Sequence, residues 1–147
     1  MTLVFWVSLT VLLYTYAGYG LLLIGVARRL GKDAARDQTE RTVTVIIAAY
    51  NEEKHIADKI SNVLSLDYPR DKLNVIVGSD ASTDETDNIV RAVADRRVKL
   101  RRVEGRQGKT AVQNVCAEEA EGEILVFTDS TTRLHRESLR RLVSYFA

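Results

Sequence analysis

Acidic residues and a lysine follow four segments of the sequence that are predicted to be strands. In chain order the segments are Ala49-Tyr50-Asn51-Glu52, Asp80, Gly108-Lys109 and Asp129-Ser130-Thr131. Carboxylates are oxygen ligands that divalent cations prefer, and a glycine-lysine loop at a helix start binds phosphate through backbone N–H groups and an ammonium. These residue types therefore favour a site for a metal-bound diphosphate whose attached base hydrogen-bonds to a carboxylate.

The elements that would position these residues alternate between strand and helix. An apolar, β-branched run predicts a buried strand at residues 42–49, and the pattern repeats with strands at residues 73–78, 98–103 and 124–128. Apolar residues at spacings of three and four predict a helix after each strand, from about residues 52, 86, 110 and 137. Asn51 is predicted to cap the first of these helices, with Glu52 and Glu53 in its first turn.

This alternation is typical of an α/β fold. It predicts right-handed βαβ units and a mostly parallel sheet with helices on both faces. Ligands bind at the carboxyl ends of the strands of such a sheet, so the acidic residues and Lys109 are expected to converge at one edge. Taken singly, Asp80 and Asp84 are also compatible with turn formation, and Lys109 with a solvated charge at a helix start.

The N-terminal segment is uncharged. No Lys, Arg, Asp, Glu or His occurs before Arg28, and residues 3–27 would form a helix about 37 Å long, which exceeds the roughly 30 Å core of a bilayer. We predict a transmembrane anchor at residues 1–28 and a polar linker at residues 29–40. A cleavable signal peptide is the alternative, but its basic residues would precede the apolar run.

The charges that follow the apolar run predict its orientation. Arg28, Arg29 and Lys32 come directly after it and no basic side chain precedes it, so the positive-inside rule places the C-terminal part in the cytoplasm. The sequence thus predicts a single-pass protein of the inner or plasma membrane.

Composition limits the remaining possibilities. The 147 residues include 21 Lys and Arg against 20 Asp and Glu, and the formal net charge of +1 argues against a general nucleic-acid binder. The length allows one small core. Cys116 is the only cysteine and lies on an apolar helical stripe, so it is predicted to be a core residue. His55 and His135 are predicted to be surface residues.

Four segments resemble, in order and spacing, the N-terminal half of an inverting family 2 glycosyltransferase with the GT-A fold. The segments are VTVIIAAYNEEKHI (43–56), VIVGSDASTDET (75–86), GKTAVQN (108–114) and GEILVFTDS (122–130). The anchor is similar to that of membrane-bound members, which make polysaccharides or glycolipids from cytosolic nucleotide sugars. The resemblance implies a Rossmann-like nucleotide-sugar-binding half-domain at residues 41–147 and sugar transfer from a nucleotide donor, with UDP as the expected carrier.

The resemblance also implies roles for individual residues. In that family, the turn after the first strand packs on the nucleoside, and the acid of the second turn binds the pyrimidine. The Gly-Lys loop of the family corresponds to Lys109 here, and the acid after the fourth strand belongs to the DxD metal motif. The implied nucleotide-sugar-binding residues are Ala49, Tyr50, Glu52, Asp80, Lys109 and Asp129.

The metal motif departs from the family pattern. It reads Asp129-Ser130-Thr131, so a hydroxyl stands where a second carboxylate is usual, and hydroxyls are poorer ligands for Mg²⁺ or Mn²⁺. Asp129 and Thr131 are the predicted metal ligands. The acceptor-binding half, with the carboxylate that acts as general base, is expected beyond Ala147, either in a C-terminal half or on a second chain.

Two functions of other classes remain as alternatives. One is a non-catalytic, membrane-tethered module that binds a nucleotide sugar. The other is a P-loop NTPase, suggested by Gly108-Lys109-Thr110 and by the run ILVFTD. The P-loop requires a glycine five positions before Gly108, where this sequence has Val103, and so the NTPase is disfavoured.

Overall fold

A computed structural model describes residues 1–31 and 39–146. The chain divides into two compact units, an N-terminal helical unit and an α/β unit. Most of the predicted linker at 29–40 falls outside the described residues, and so does Lys32 of the predicted basic cluster.

The N-terminal unit is one continuous helix, Thr2–Leu30. It consists of α1 (Thr2–Leu13), a π-helical segment (Tyr14–Gly18) and α2 (Tyr19–Leu30). At about 1.5 Å per residue it is roughly 44 Å long. None of its residues is buried, and its length and composition are sufficient to cross a membrane.

The second unit is built on a four-stranded sheet. The strands are β1 (Val43–Ala49), β2 (Leu73–Asp80), β3 (Val98–Val103) and β4 (Ile124–Asp129). Every neighbouring pair is parallel, in the order β3-β2-β1-β4, which confirms the predicted parallel sheet. The chain steps outward from β1 to β3 and then returns to the other side of β1. The strand order therefore reverses between β1 and β4, where open α/β sheets bind their ligands.

Helices cover both faces of the sheet, as predicted. They are α3 (Ile56–Leu64), α4 (Thr86–Arg91), α5 (Lys109–Glu118) and α6 (Ser138–Val143), with a short 3₁₀ turn at Arg70–Lys72. Alternate residues of β1 point to opposite faces. Val45 and Ile47 join a core with α3, α4 and α6, whereas Ile46 packs in a smaller core with Val112 and Cys116 of α5.

The α5 helix lies unusually close to the sheet at Gly78. A Cβ atom at this position would lie 2.4 Å from Cγ1 of Val112 and 2.6 Å from Sγ of Cys116, both closer than real contacts. Glycine is required here because the helix packs on the strand backbone. Cys116 is fully buried in this contact, which confirms it as a core residue, and burial raises the pKa of its thiol to about 11.

The predicted cap of the first helix of this unit is wrong. The α3 helix begins at Ile56, and His55 occupies the N-cap position. Asn51 instead has a φ of 52°, in the left-handed region, and its Oδ1 accepts a hydrogen bond from the Thr83 N–H at 2.9 Å. The side chain that was expected to cap a helix therefore joins the turn after β1 to the turn after β2.

Candidate functional site

A cleft of about 350 Å³ lies at the carboxyl ends of β1 and β4. It is lined by all seven residues that the sequence analysis singled out for nucleotide or metal binding: Ala49, Tyr50, Glu52, Asp80, Lys109, Asp129 and Thr131. Its other lining residues are Ala48, Arg106, Gly108 and Ser130. A larger open groove of about 580 Å³ at Asn62 and Arg136 has no carboxylate among its lining residues. The mixture of acidic and basic groups thus distinguishes the cleft from this larger groove.

Asp80 fixes the loop on one side of the cleft. It ends β2 and is only 5% exposed. Its Oδ1 accepts the Gln107 N–H at 2.7 Å, and its Oδ2 accepts the Gly108 N–H at 2.9 Å. Gly108 has a φ of 89°, which a glycine adopts without strain, and it immediately precedes α5. Because a carboxylate has about four acceptor positions, Asp80 retains the capacity to accept a further hydrogen bond.

Lys109 and Asp129 form an ion pair inside the cleft. Lys109 is the first residue of α5, Asp129 is the last of β4, and the Lys109 ammonium donates a hydrogen bond to Oδ1 of Asp129. Both side chains are about half exposed, at 56% and 53%. Exposed pairs of this kind contribute little to stability, so the pair can open when other charges enter the cleft.

An aromatic ring and a guanidinium stack at the cleft. The Arg106 guanidinium carbon lies 4.0 Å from the centroid of the Tyr50 ring. Cations favour this position over an aromatic face, and a planar base can also stack on such a ring. No role for Arg106 was predicted from the sequence. The sequence feature that could have indicated a role is the position of Arg106 between Gly105 and Gly108, in the same loop as Lys109.

Hydrogen bonds between neighbouring loops hold the turn that carries Tyr50 and Glu52. The Glu52 N–H donates to Oγ1 of Thr86 at 2.8 Å, and the Glu53 N–H donates to Oδ2 of Asp84 at 3.1 Å. Burial would raise the pKa of Asp84, but hydrogen bonds from Thr86 and from the Glu53 N–H hold it below its usual value. Asp84 is therefore a turn-forming residue, which was one of its two interpretations.

Lys59 lies behind Asp129 and was also missed by the sequence analysis. It belongs to α3, is 3% exposed, and its ammonium donates to Oγ1 of Thr128 at 2.8 Å and to the Thr132 carbonyl at 2.6 Å. Residue 59 is three positions after Ile56 and four before Val63, on the apolar stripe of the helix. A lysine on such a stripe was the available signal. His55 and His135 are exposed, as predicted.

The residues of the cleft suit a divalent cation only as a shared site. Within residues 1–31 and 39–146, no three His, Cys, Asp or Glu side chains are grouped as metal ligands. Asp129 and Thr131 both line the cleft and provide one carboxylate and one hydroxyl. Mg²⁺ and similar cations are commonly bound by one or two carboxylates together with substrate phosphates. The Asp129 carboxylate and the Thr131 hydroxyl therefore fit a cation whose other ligands are diphosphate oxygens.

Comparison with known proteins shows where this architecture occurs. The family model "Glycosyl transferase family 2" matches residues 44–147. The structure of the mannosyltransferase PcManGT from Pyrobaculum calidifontis, in complex with GDP-Man and Mn²⁺, superposes with a TM-score of 0.79 at 37% identity. That match covers 94% of this chain and 43% of the mannosyltransferase.

Bacterial relatives match the same part of the chain. The poly(ribitol-phosphate) β-N-acetylglucosaminyltransferase TarS of Staphylococcus aureus is 31% identical over 104 residues, which is 69% of this chain and 18% of TarS. Its structure with UDP-GlcNAc gives a TM-score of 0.65. The β-monoglucosyldiacylglycerol synthase of Synechocystis is 34% identical, over 71% of this chain and 23% of the synthase. The chain thus spans less than half the length of each, and it belongs to glycosyl transferase family 2.

Proposed function

We propose that the cleft binds the nucleotide part of a sugar donor, with UDP as the carrier, and that the protein transfers this sugar with inversion in polysaccharide or glycolipid synthesis. The observation that carries the proposal is the convergence of the acids, Lys109 and Tyr50 at the point where the strand order reverses. The related structures of TarS with UDP-GlcNAc and of PcManGT with GDP-Man support a nucleotide-sugar donor.

The base would lie between Tyr50 and Asp80. The ring of Tyr50 offers a face on which a planar base stacks, once Arg106 moves or stacks on the other side of that base. Asp80 already holds the loop before α5 and has acceptor capacity left for a ring N–H. A pyrimidine with a ring N–H, such as uracil, satisfies this arrangement.

The diphosphate would interrupt the ion pair in the cleft. Lys109 exchanges its hydrogen bond to Asp129 for one to a phosphate oxygen, which keeps the ammonium paired with a negative charge throughout. Asp129 is then free, with Thr131, to hold Mg²⁺ or Mn²⁺ together with the phosphate oxygens. When bound, the cation neutralises the charge that develops on the departing diphosphate. This exchange predicts that cation and nucleotide bind together.

The transfer itself is an in-line displacement at the anomeric carbon of the sugar. The acceptor hydroxyl oxygen forms the new bond, the bond from the anomeric carbon to the diphosphate breaks, and the electron pair of that bond leaves with the diphosphate. The acceptor proton passes to a general base. We expect that base outside residues 39–146, in the acceptor-binding part that the family resemblance implies.

We further propose that the helix Thr2–Leu30 anchors the protein in the inner or plasma membrane as a single span. Its length and apolar composition support this role, and Arg28 and Arg29 in its last turn support a cytoplasmic position for the α/β unit. Nucleotide sugars made in the cytosol would then reach the cleft directly.

Calorimetric titration of the full chain in detergent micelles with UDP, GDP and CDP tests the proposal. We expect UDP to bind most tightly and Mn²⁺ to increase its affinity. Lys109→Met should weaken UDP binding about 10- to 150-fold, the value of a charged hydrogen bond of about 1.5–3 kcal/mol. The matched control is Lys99→Met, because Lys99 is 64% exposed in a 3.8 Å ion pair with Glu121. Failure of all three nucleotides to bind at millimolar concentration would refute the proposal.

A further inference from the structure

Lys59 presents a charged group to the interior of the α/β unit. It projects from the buried side of α3 between Ile56 and Ile60, with 3% of its surface exposed. Burial lowers the pKa of Lys59, and the nearby charge of Asp129 partly offsets this effect. An apolar side chain of similar length would fill the same space without the cost of removing an ammonium from water. Packing alone therefore gives no reason for a lysine here.

The two acceptors of Lys59 enclose the metal motif. Oγ1 of Thr128 accepts at 2.8 Å and the carbonyl oxygen of Thr132 accepts at 2.6 Å. These residues directly precede and follow the segment from Asp129 to Thr131. One ammonium thus joins the strand end to the far side of the turn, from the side opposite the Lys109 ammonium in the cleft.

The turn itself has weak internal support. Its backbone hydrogen bond, from the Thr132 N–H to the Asp129 carbonyl, is long at 3.4 Å. Asp129 and Thr131 can act on one cation only if the backbone around Ser130 keeps a fixed conformation. The contacts of Lys59 supply the restraint that the long backbone bond does not.

We propose that Lys59 is a positioning residue of the donor site, one that fixes the Asp129–Ser130–Thr131 turn so that the carboxylate and the hydroxyl face the cleft together. This inference rests on the proposed function. Lys59 contacts neither nucleotide nor cation in this arrangement and acts through the turn that carries Asp129. It therefore governs the part of nucleotide affinity that depends on the divalent cation.

The test measures UDP affinity of the full chain in detergent micelles, once with saturating Mn²⁺ and once with EDTA. The ratio of the two affinities is the readout, because a general loss of folding lowers both values and leaves their ratio unchanged. We expect Lys59→Met to reduce this ratio about tenfold or more while affinity in EDTA stays within about twofold of the wild type. Lys72→Met is the matched control, since Lys72 donates a hydrogen bond to the Glu40 carbonyl at 2.7 Å and lies before β2.

A second variant keeps the inference testable if Lys59→Met does not fold. Thr128→Val removes one acceptor of Lys59 and keeps a β-branched side chain in β4, so it should reduce the ratio in the same direction by about threefold. An unchanged ratio in the folded variants overturns the inference and leaves the proposed function intact. A wild-type protein that binds UDP equally with and without Mn²⁺ also overturns it. A wild-type protein that binds no UDP refutes the UDP assignment and this inference together.

Discussion

Replacement of Asp80 by asparagine turns one of its two hydrogen-bond acceptor oxygens into an NH₂ donor. In the wild type both carboxylate oxygens accept backbone N–H groups, from Gln107 at 2.7 Å and from Gly108 at 2.9 Å. An asparagine has one oxygen and one NH₂ group, so one of these amides faces a donor in place of an acceptor. The loop that carries Arg106 and leads into α5 then loses one of its two hydrogen bonds to residue 80.

The expected loss of UDP binding free energy follows from the backbone N–H that loses its acceptor. Hydrogen bonds to a charged group are worth about 1.5–3 kcal/mol, and a buried donor without a partner costs about 1–3 kcal/mol. Since Asp80 is 5% exposed, water does not readily replace the lost acceptor. The proposed hydrogen bond to the base weakens as well. We therefore expect Asp80→Asn to weaken UDP binding by about 1–3 kcal/mol, which is roughly 5- to 150-fold.

Titration calorimetry with UDP and Mn²⁺ provides the assay, with urea unfolding of the same samples to record stability. Asp95→Asn serves as the control, because it disrupts an ion pair with Arg97 of 2.7 Å whose residues do not line the cleft. That variant should lose stability and keep its UDP affinity. Unchanged UDP affinity in folded Asp80→Asn would remove Asp80 from the site and refute the reasoning.

Three further predictions concern the core and the membrane anchor. Gly78→Ala should lower the free energy of unfolding by about 1–3 kcal/mol, measured in urea, because the new methyl group overlaps Val112 and Cys116; a stability equal to that of the wild type would show that α5 moves away freely. Cys116 should resist a thiol reagent at pH 8 and react fully in urea. Its raised pKa also predicts that the stability it contributes is present below about pH 9 and is lost as the pH rises to about 11; rapid labelling of the folded protein would contradict both. An alkaline phosphatase fused after the last residue should be inactive, because the proposed orientation, based on Arg28 and Arg29, places the α/β unit in the cytoplasm; phosphatase activity there would refute that orientation.

Strands β1 and β2 were predictable because burial on both faces of a parallel sheet leaves a largely apolar run. The edge strand β3 carries exposed Lys99 and Arg101 between apolar residues, and it has the predicted bounds. The predicted β2 ended two residues early, since Ser79 and Asp80 are polar. Both are nevertheless buried, because neighbouring loops supply their hydrogen bonds. Local polarity is thus a poor guide to where a strand ends beside a site.

The errors and omissions of the sequence analysis have a common origin. Asn51, Arg106 and Lys59 take their positions from partners that lie 32, 56 and 69 or more positions away in the chain. Propensities and spacing report only on local structure, so they assigned Asn51 to the nearest helix and gave no role to the other two. The predicted cleft residues were accessible to sequence reasoning because each follows a recognisable strand.

The position of β4 has a consequence for how the cleft forms. The pairing of β1 with β2 joins residues 43 and 73, whereas the pairing of β1 with β4 joins residues 43 and 124. The longer closure costs only about 0.9 kcal/mol more in chain entropy, but contacts distant in sequence slow folding. During synthesis β1, β2 and β3 are all made before Asp129 is added to the chain. We therefore expect the cleft to be the last part of this unit to form, so that nucleotide binding reports on the completed sheet.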